Sequence, residues 1–136
     1  MLSSRKLERL TGIERFRNVE RLDLFRCRKL DSLSELAHST LLRSLRLNQC
    51  PSIVDLSPIS HLAELRELEI ENCGEIHSIA AVAKCKKLQR LQIAGNTTVL
   101  DGDLTSTSLK RLPNLKEVLL AKRRHYSHTG EELERK

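Results

Sequence analysis

The chain has 136 residues, a net charge of +6 and only 2% aromatic residues, which is room for one domain with a thin aliphatic core and no aromatic platform for stacking nucleobases. Its longest clean apolar run, residues 79–83, is far short of the roughly 20 residues of a membrane-spanning helix, and Leu2 is followed at once by polar and basic residues, so neither a span nor a signal peptide is expected. Four cysteines without any C-x-x-C pair speak against a zinc site and for thiols kept reduced inside a cell, in the cytoplasm or nucleus.

In chain order, Arg5, Lys6, Leu7, Leu10 and Ile13 match Arg28, Lys29, Leu30, Leu33 and Leu36, the back half of a later unit. The strand that should precede Leu7 is missing, with Leu2 in register with Phe25 one repeat on. Residues 1–18 are therefore read as a partial first repeat, its open end covered by a partner, a second copy or a missing N-terminal segment. From Val19 one line of text returns every 23 residues. Leu22 and Leu24, Leu45 and Leu47, Leu68 and Ile70, and Leu91 and Ile93 each alternate with polar residues, the period of a short strand with one buried face. Apolar residues at intervals of three follow, at Leu33 and Leu36, Leu56 and Ile59, and Ile79 and Val82, a spacing that suits 3₁₀ or extended return segments. The units are 19–41, 42–64, 65–87 and 88–114, the last carrying four extra residues expected within 96–103, where Asp101 and Asp103 form a polar loop. Residues 115–136 supply a last strand through Leu115, Val118 and Leu120. A short cap begins at the T-x-x-E pair of Thr129 and Glu132 and lays Tyr126 and Leu133 over the final coil.

This is the pattern of the leucine-rich repeat, and the fold expected is an α/β solenoid: a horseshoe or arc of about five coils, with a parallel β-sheet on the concave face and 3₁₀ or extended convex segments. Cys27, Cys50, Cys73 and Asn96 fall in one column, where an inward side chain donates to buried backbone carbonyls of its own and the neighbouring coil.

Function in such an architecture belongs to the outward columns of the concave sheet. The central one reads Asp23, Arg46, Glu69, Gln92 and Leu119; its flanks read Phe25, Asn48, Glu71, Ala94 and Ala121, and Arg21, Ser44, Glu67, Arg90 and Glu117. Phe25 is a candidate anchor, or else packs against the N-terminal coil or Leu2. Arg46 between Asp23 and Glu69 reads as a cross-strand charge pair, and Glu67, Glu69 and Glu71 form an acidic strip that wants a basic partner. The net positive charge sits at the chain's ends, where Arg26, Arg28 and Lys29, and Lys122, Arg123 and Arg124, are candidate nucleic-acid contacts.

His38 and His61 stand one repeat apart and mark position on the return segment, and His125 and His128 lack partner ligands, so no metal is expected. No nucleophile elbow, phosphate-cradling glycine loop or H-E-x-x-H is present, so neither catalysis nor a cofactor is expected.

The segment containing Cys50, Ile53, Asp55, Ser57, Pro58 and Ile59 resembles the short cysteine-bearing repeats of kinetoplastid leucine-rich repeat proteins, and is similar in length to internalin-type and phosphatase-regulator-type repeats. The kinetoplastid resemblance implies intracellular binding proteins, some attached to a RING domain as ubiquitin-ligase adaptors; this sequence carries no RING cysteine pattern. The expected function is a non-catalytic protein-interaction module. The alternatives are a structural or assembly subunit of a larger, RNA-containing complex that uses the basic ends, and the substrate-recognition part of a ubiquitin ligase.

Overall fold

The computed structural model describes residues 2–3, 6–13, 18–101, 109 and 112–121; Lys122, Arg123, Arg124, Asp103 and the cap expected from Thr129 lie outside them. Among the described residues eight strands follow in chain order: β1 (Leu2–Ser3), β2 (Arg21–Phe25), β3 (Ser44–Asn48), β4 (Glu67–Glu71), β5 (Glu75–Ile76), β6 (Arg90–Ala94), β7 (Thr98–Val99) and β8 (Glu117–Leu120). One parallel sheet takes the order β1-β2-β3-β4-β6-β8, and β5 pairs with β7 in a second, two-stranded sheet. The alternating pattern works as expected, with Leu22 and Leu24, Leu45 and Leu47, Leu68 and Ile70, and Leu91 and Ile93 all buried. The alternating residues on the strands take the other face and are exposed or half-buried, apart from Ser44, which is buried.

The returns are 3₁₀ segments at Ser34–His38, Ser57–His61 and Ala80–Lys84, burying Leu36, Ile59 and Val82 in turn. Two residues before each, a side-chain oxygen accepts a backbone N–H: Ser32 from Ser34 at 3.1 Å, Asp55 from Ser57 at 2.9 Å and Ser78 from Ala80 at 3.1 Å. These short polar side chains satisfy a donor that the first turn leaves open. Pro58, early in the second segment, has φ set by its ring and needs no donor there.

At the opposite corner the chain leaves β2, β3, β4 and β6 through a left-handed residue: Arg26 at φ 57°, Gln49 at 58°, Asn72 at 53° and Gly95 at 63°. That conformation turns the amide of Arg26 onto the Asn48 carbonyl, of Gln49 onto Glu71 and of Asn72 onto Ala94, at 2.9, 3.0 and 3.3 Å. The corner thus extends the sheet's hydrogen bonding by one residue, at the steric cost a Cβ bears in this region.

Behind the corner runs the thiol column. Cys50 donates to the carbonyls of Leu24 and Asn48, and Cys73 to those of Leu47 and Glu71, each at 3.3 to 3.5 Å. Asn96 does not join them. Thr97 is buried instead, its hydroxyl accepting the Cys73 amide at 3.0 Å, while Asn96 is exposed. The cause is local: the Thr97 amide bonds back to the Ala94 carbonyl at 3.3 Å, closing a turn that advances the inward position by one residue. Asn96 serves outside, its amide donating to Asn72 Oδ1 and its Oδ1 accepting from Gly74. Cys85 forms a further thiol contact at the end of the third 3₁₀ segment, donating to the Ile59 carbonyl at 3.4 Å.

Two further expectations are corrected. A strand does precede Leu7: β1 pairs with β2, and Leu2 lies opposite Leu24 and Ser3 opposite Phe25, one residue away from the 23-residue register. The extra residues do not begin at 96, because Thr98, Leu100 and Asp101 still donate to the carbonyls of Gly74, Ile76 and His77 in the previous coil. By Leu109 the shift is complete, since the bond from Leu112 to Leu109 repeats that from Cys85 to Val82, 27 residues on. The insertion therefore enters between Asp101 and Leu109, after the β5–β7 ladder has ended.

Gly95 is the corner least tolerant of change, since an added Cβ would fall 2.0 Å from Asn72 Oδ1 at a positive φ. Gly95→Ala is expected to lower stability by about 2 kcal/mol, read as a reduced urea midpoint at unchanged slope. Burial pushes the Cys85 thiol up to about 11 from 9.0. A raised folded pKa favours the thiol in the fold, so this stabilisation is complete below pH 9 and is lost as the pH rises towards 11. All four cysteines are buried, so iodoacetamide at neutral pH should label none in the native chain and all four in guanidinium.

Candidate concave interaction face

The sheet register assembles the outward columns as neighbours on one surface. Asp23 lies opposite Arg46, Arg46 opposite Glu69, Glu69 opposite Gln92 and Gln92 opposite Leu119. On one side run Phe25, Asn48, Glu71 and Ala94; on the other, Arg21, Ser44, Glu67, Arg90 and Glu117. Strands about 4.8 Å apart place these side chains within direct reach of one another.

The charges form a connected series. Arg46 Nε donates to Glu69 Oε2 at 2.7 Å, and its NH1 lies 3.9 Å from Asp23 Oδ2. The second oxygen of Glu69 takes the Arg90 guanidinium, which also reaches Glu117 Oε2 at 3.0 Å and donates to Gln92 Oε1 at 2.9 Å. Glu69 is thus the shared acceptor of two arginines, and its side chain is only 15% exposed. Its hydrogen bond and its charge hold the Arg46 pKa above the ordinary arginine value. The expected Arg46 pairing is present. The Arg90 branch was not anticipated, because the register sets Arg90 opposite Glu67 and the guanidinium instead crosses diagonally to Glu69. Long side chains reach diagonal neighbours, and a column-by-column reading of the repeat misses that.

Glu67 and Glu71, on the same strand, make no ion pair among the described residues, and neither does Arg21. Phe25 is half-buried beside Ser3 of β1 in the sheet, with the Arg26 guanidinium 4.9 Å from its ring centroid. Between β2, β3 and β4 lies a hollow of about 180 Å³ lined by Asp23, Phe25, Arg46, Asn48, Glu69 and Glu71, with Leu24 and Leu47 below. Asp23 Oδ1 and Asn48 Oδ1 are buried there without a hydrogen bond.

Other candidates lie elsewhere. Arg26, Arg28 and Lys29 are exposed on the corner after β2, with Lys29 Nζ 3.8 Å from Glu8. His38 and His61 close the first and second 3₁₀ segments on the outer side. Among the described residues no group of three or more His, Cys, Asp or Glu is arranged to hold a metal ion, and no helix is long and apolar enough to cross a membrane.

Comparison with known proteins places this geometry. The chain matches, over residues 34–134, the family model described as plant disease resistance protein RPS2-like, leucine-rich repeats. Among solved structures it is similar to internalin C2 of Listeria monocytogenes, with a TM-score of 0.63 at 23% identity over 90% of this chain and 53% of that one. It is also similar to a leucine-rich repeat protein of Leptospira interrogans, with a TM-score of 0.65 at 25% identity over 88% of this chain and 30% of that one. The chain therefore spans about half or less of the length of these two structures. No curated protein matches it. Leucine-rich repeat folds generally mediate protein–protein interaction and are generally non-catalytic. With three quarters of its length matched by the family model and the repeat geometry in place, the chain belongs to the RPS2-like family of leucine-rich repeats.

Proposed function

We propose that this chain is a non-catalytic recognition module that grips another protein on its concave sheet. Phe25, Arg46, Glu69, Glu71 and Gln92 form the centre of the contact, with Arg21, Asp23, Asn48, Glu67 and Arg90 around them. The observation that carries this reading is the ion-pair series from Asp23 through Arg46, Glu69 and Arg90 to Glu117. It fixes long side chains across five strands before any partner arrives, so less rotamer entropy is lost on binding. A face made rigid and polar in this way suits specific recognition more than non-specific adhesion. Four buried cysteines outside any disulfide support a reducing, intracellular setting.

Removing the shared negative charge should loosen that face. Glu69→Gln is expected to cost about 1 to 2 kcal/mol in denaturant unfolding, shrinking as salt is raised, because it weakens two partly shielded pairs at once. Glu64→Gln, which weakens only the exposed pair with Lys87, should cost less.

Binding itself is tested by affinity capture from nuclease-treated lysate, comparing the wild-type chain with Gln92→Trp, which fills the centre of the concave face. A protein partner retained by the wild type and lost with the tryptophan is the expected result. Capture that disappears with nuclease and ignores the tryptophan would instead make the basic residues Arg26, Arg28 and Lys29 the functional surface.

A further inference from the structure

We infer that the hollow between Phe25, Asn48 and Glu71 receives a lysine or arginine side chain of the partner protein. The assignment rests on the concave-face reading above and names the chemistry that face selects. The lining holds three carboxylates, Asp23, Glu69 and Glu71, against one guanidinium, that of Arg46. That guanidinium is already committed to Asp23 and Glu69, and Glu69 is further engaged by Arg90, so the one cation in the lining is spent. Glu71 stands on the rim with no ion pair among the described residues.

The hydrogen-bond balance points the same way. The polar atoms left without partners there, Asp23 Oδ1 and Asn48 Oδ1, are both acceptors, so what is lacking is donors. Ammonium and guanidinium groups donate and never accept, which matches the deficit in both charge and hydrogen bonding.

The shape suits the rest of such a side chain. Phe25, with Leu24 and Leu47 below, gives one side of the hollow an apolar character, while the carboxylates occupy the other. Lysine and arginine lay aliphatic stems along apolar surface and hold the charged head at its polar edge. An acidic or purely apolar side chain would leave Glu71 and both orphan oxygens uncompensated.

The test is an NMR titration of the ¹⁵N-labelled full chain with a blocked peptide of alternating lysine or arginine and glycine or serine, beside a glutamate peptide of the same length. The basic peptide should shift the amides of Phe25, Asn48 and Glu71 saturably, and the glutamate peptide should not. Glu71→Lys should weaken binding at least about tenfold, Phe25→Ala several-fold, and Glu75→Lys, an equal charge change outside the hollow, by less than about threefold. Equal weakening by Glu71→Lys and Glu75→Lys, or shifts spread over the whole surface, would overturn the assignment. If the basic peptide fails to bind while Gln92→Trp still abolishes capture of a protein partner, the concave-face reading stands and the basic-side-chain assignment falls.

Discussion

No coil of this protein can bury its own leucine stripe; each depends on the next coil lying over it in the same register. Parallel strands joined at a constant offset of 23 residues bring leucine or isoleucine onto its counterpart between β2 and β6, so the core is a continuous column rather than a set of local clusters. Tight coiling also turns backbone carbonyls inward, where water cannot reach them, and these need donors. The thiols of Cys50 and Cys73 supply them across and within coils, as Cys85 does on the return side. A thiol is a weak donor but a small apolar one, which lets a column of them sit inside a leucine core with little penalty.

The same register that stacks leucines inside stacks whatever lies outside, and a parallel sheet would place like charges side by side if neighbouring units were identical. Here the central strand β4 carries Glu67, Glu69 and Glu71, while the strands on either side bring Arg46 and Arg90. Glu69 pairs with both arginines, Asp23 and Glu117 take a share at either end, and Glu67 and Glu71 make no ion pair among the described residues. The centre of the concave face is consequently cross-linked by ion pairs, with Glu67 and Glu71 outside the series. The repeat constrains the inner residues tightly and the outer ones hardly at all, so the outward side chains can differ from coil to coil on one frame.

The fourth coil shows how much irregularity such a frame accepts. Gly95 and Asn96 form a turn where the earlier coils continue directly into the thiol column, and the inward position passes from the ninth residue to the tenth. The loss is contained because Thr97 still offers an oxygen to the Cys73 amide and Asn96 ties the corner to Asn72 and Gly74. The β5–β7 ladder keeps the 23-residue register, with Glu75 opposite Thr98 and Ile76 opposite Val99.

Much of the architecture was legible in the residues themselves. Alternation at Leu22 and Leu24 and its later copies specifies strands, and apolar spacing of three specifies short returns, because buried faces must recur with the geometry of the backbone that carries them. The 23-residue period further orders the outward columns, including Arg46 between Asp23 and Glu69. What the period leaves open is everything settled by turn closure or side-chain reach. The one-residue offset of Leu2 against Leu24, the exchange of Asn96 for Thr97, the diagonal crossing of Arg90 to Glu69 and the hollow beside Phe25 all depend on which hydrogen bonds form once coils are in contact. Periodicity measures distance along the chain, so the sequence by itself determined the strands, their stacking and their outward columns. Only the tertiary structure, through distances between coils, decided which charges pair with one another and which do not.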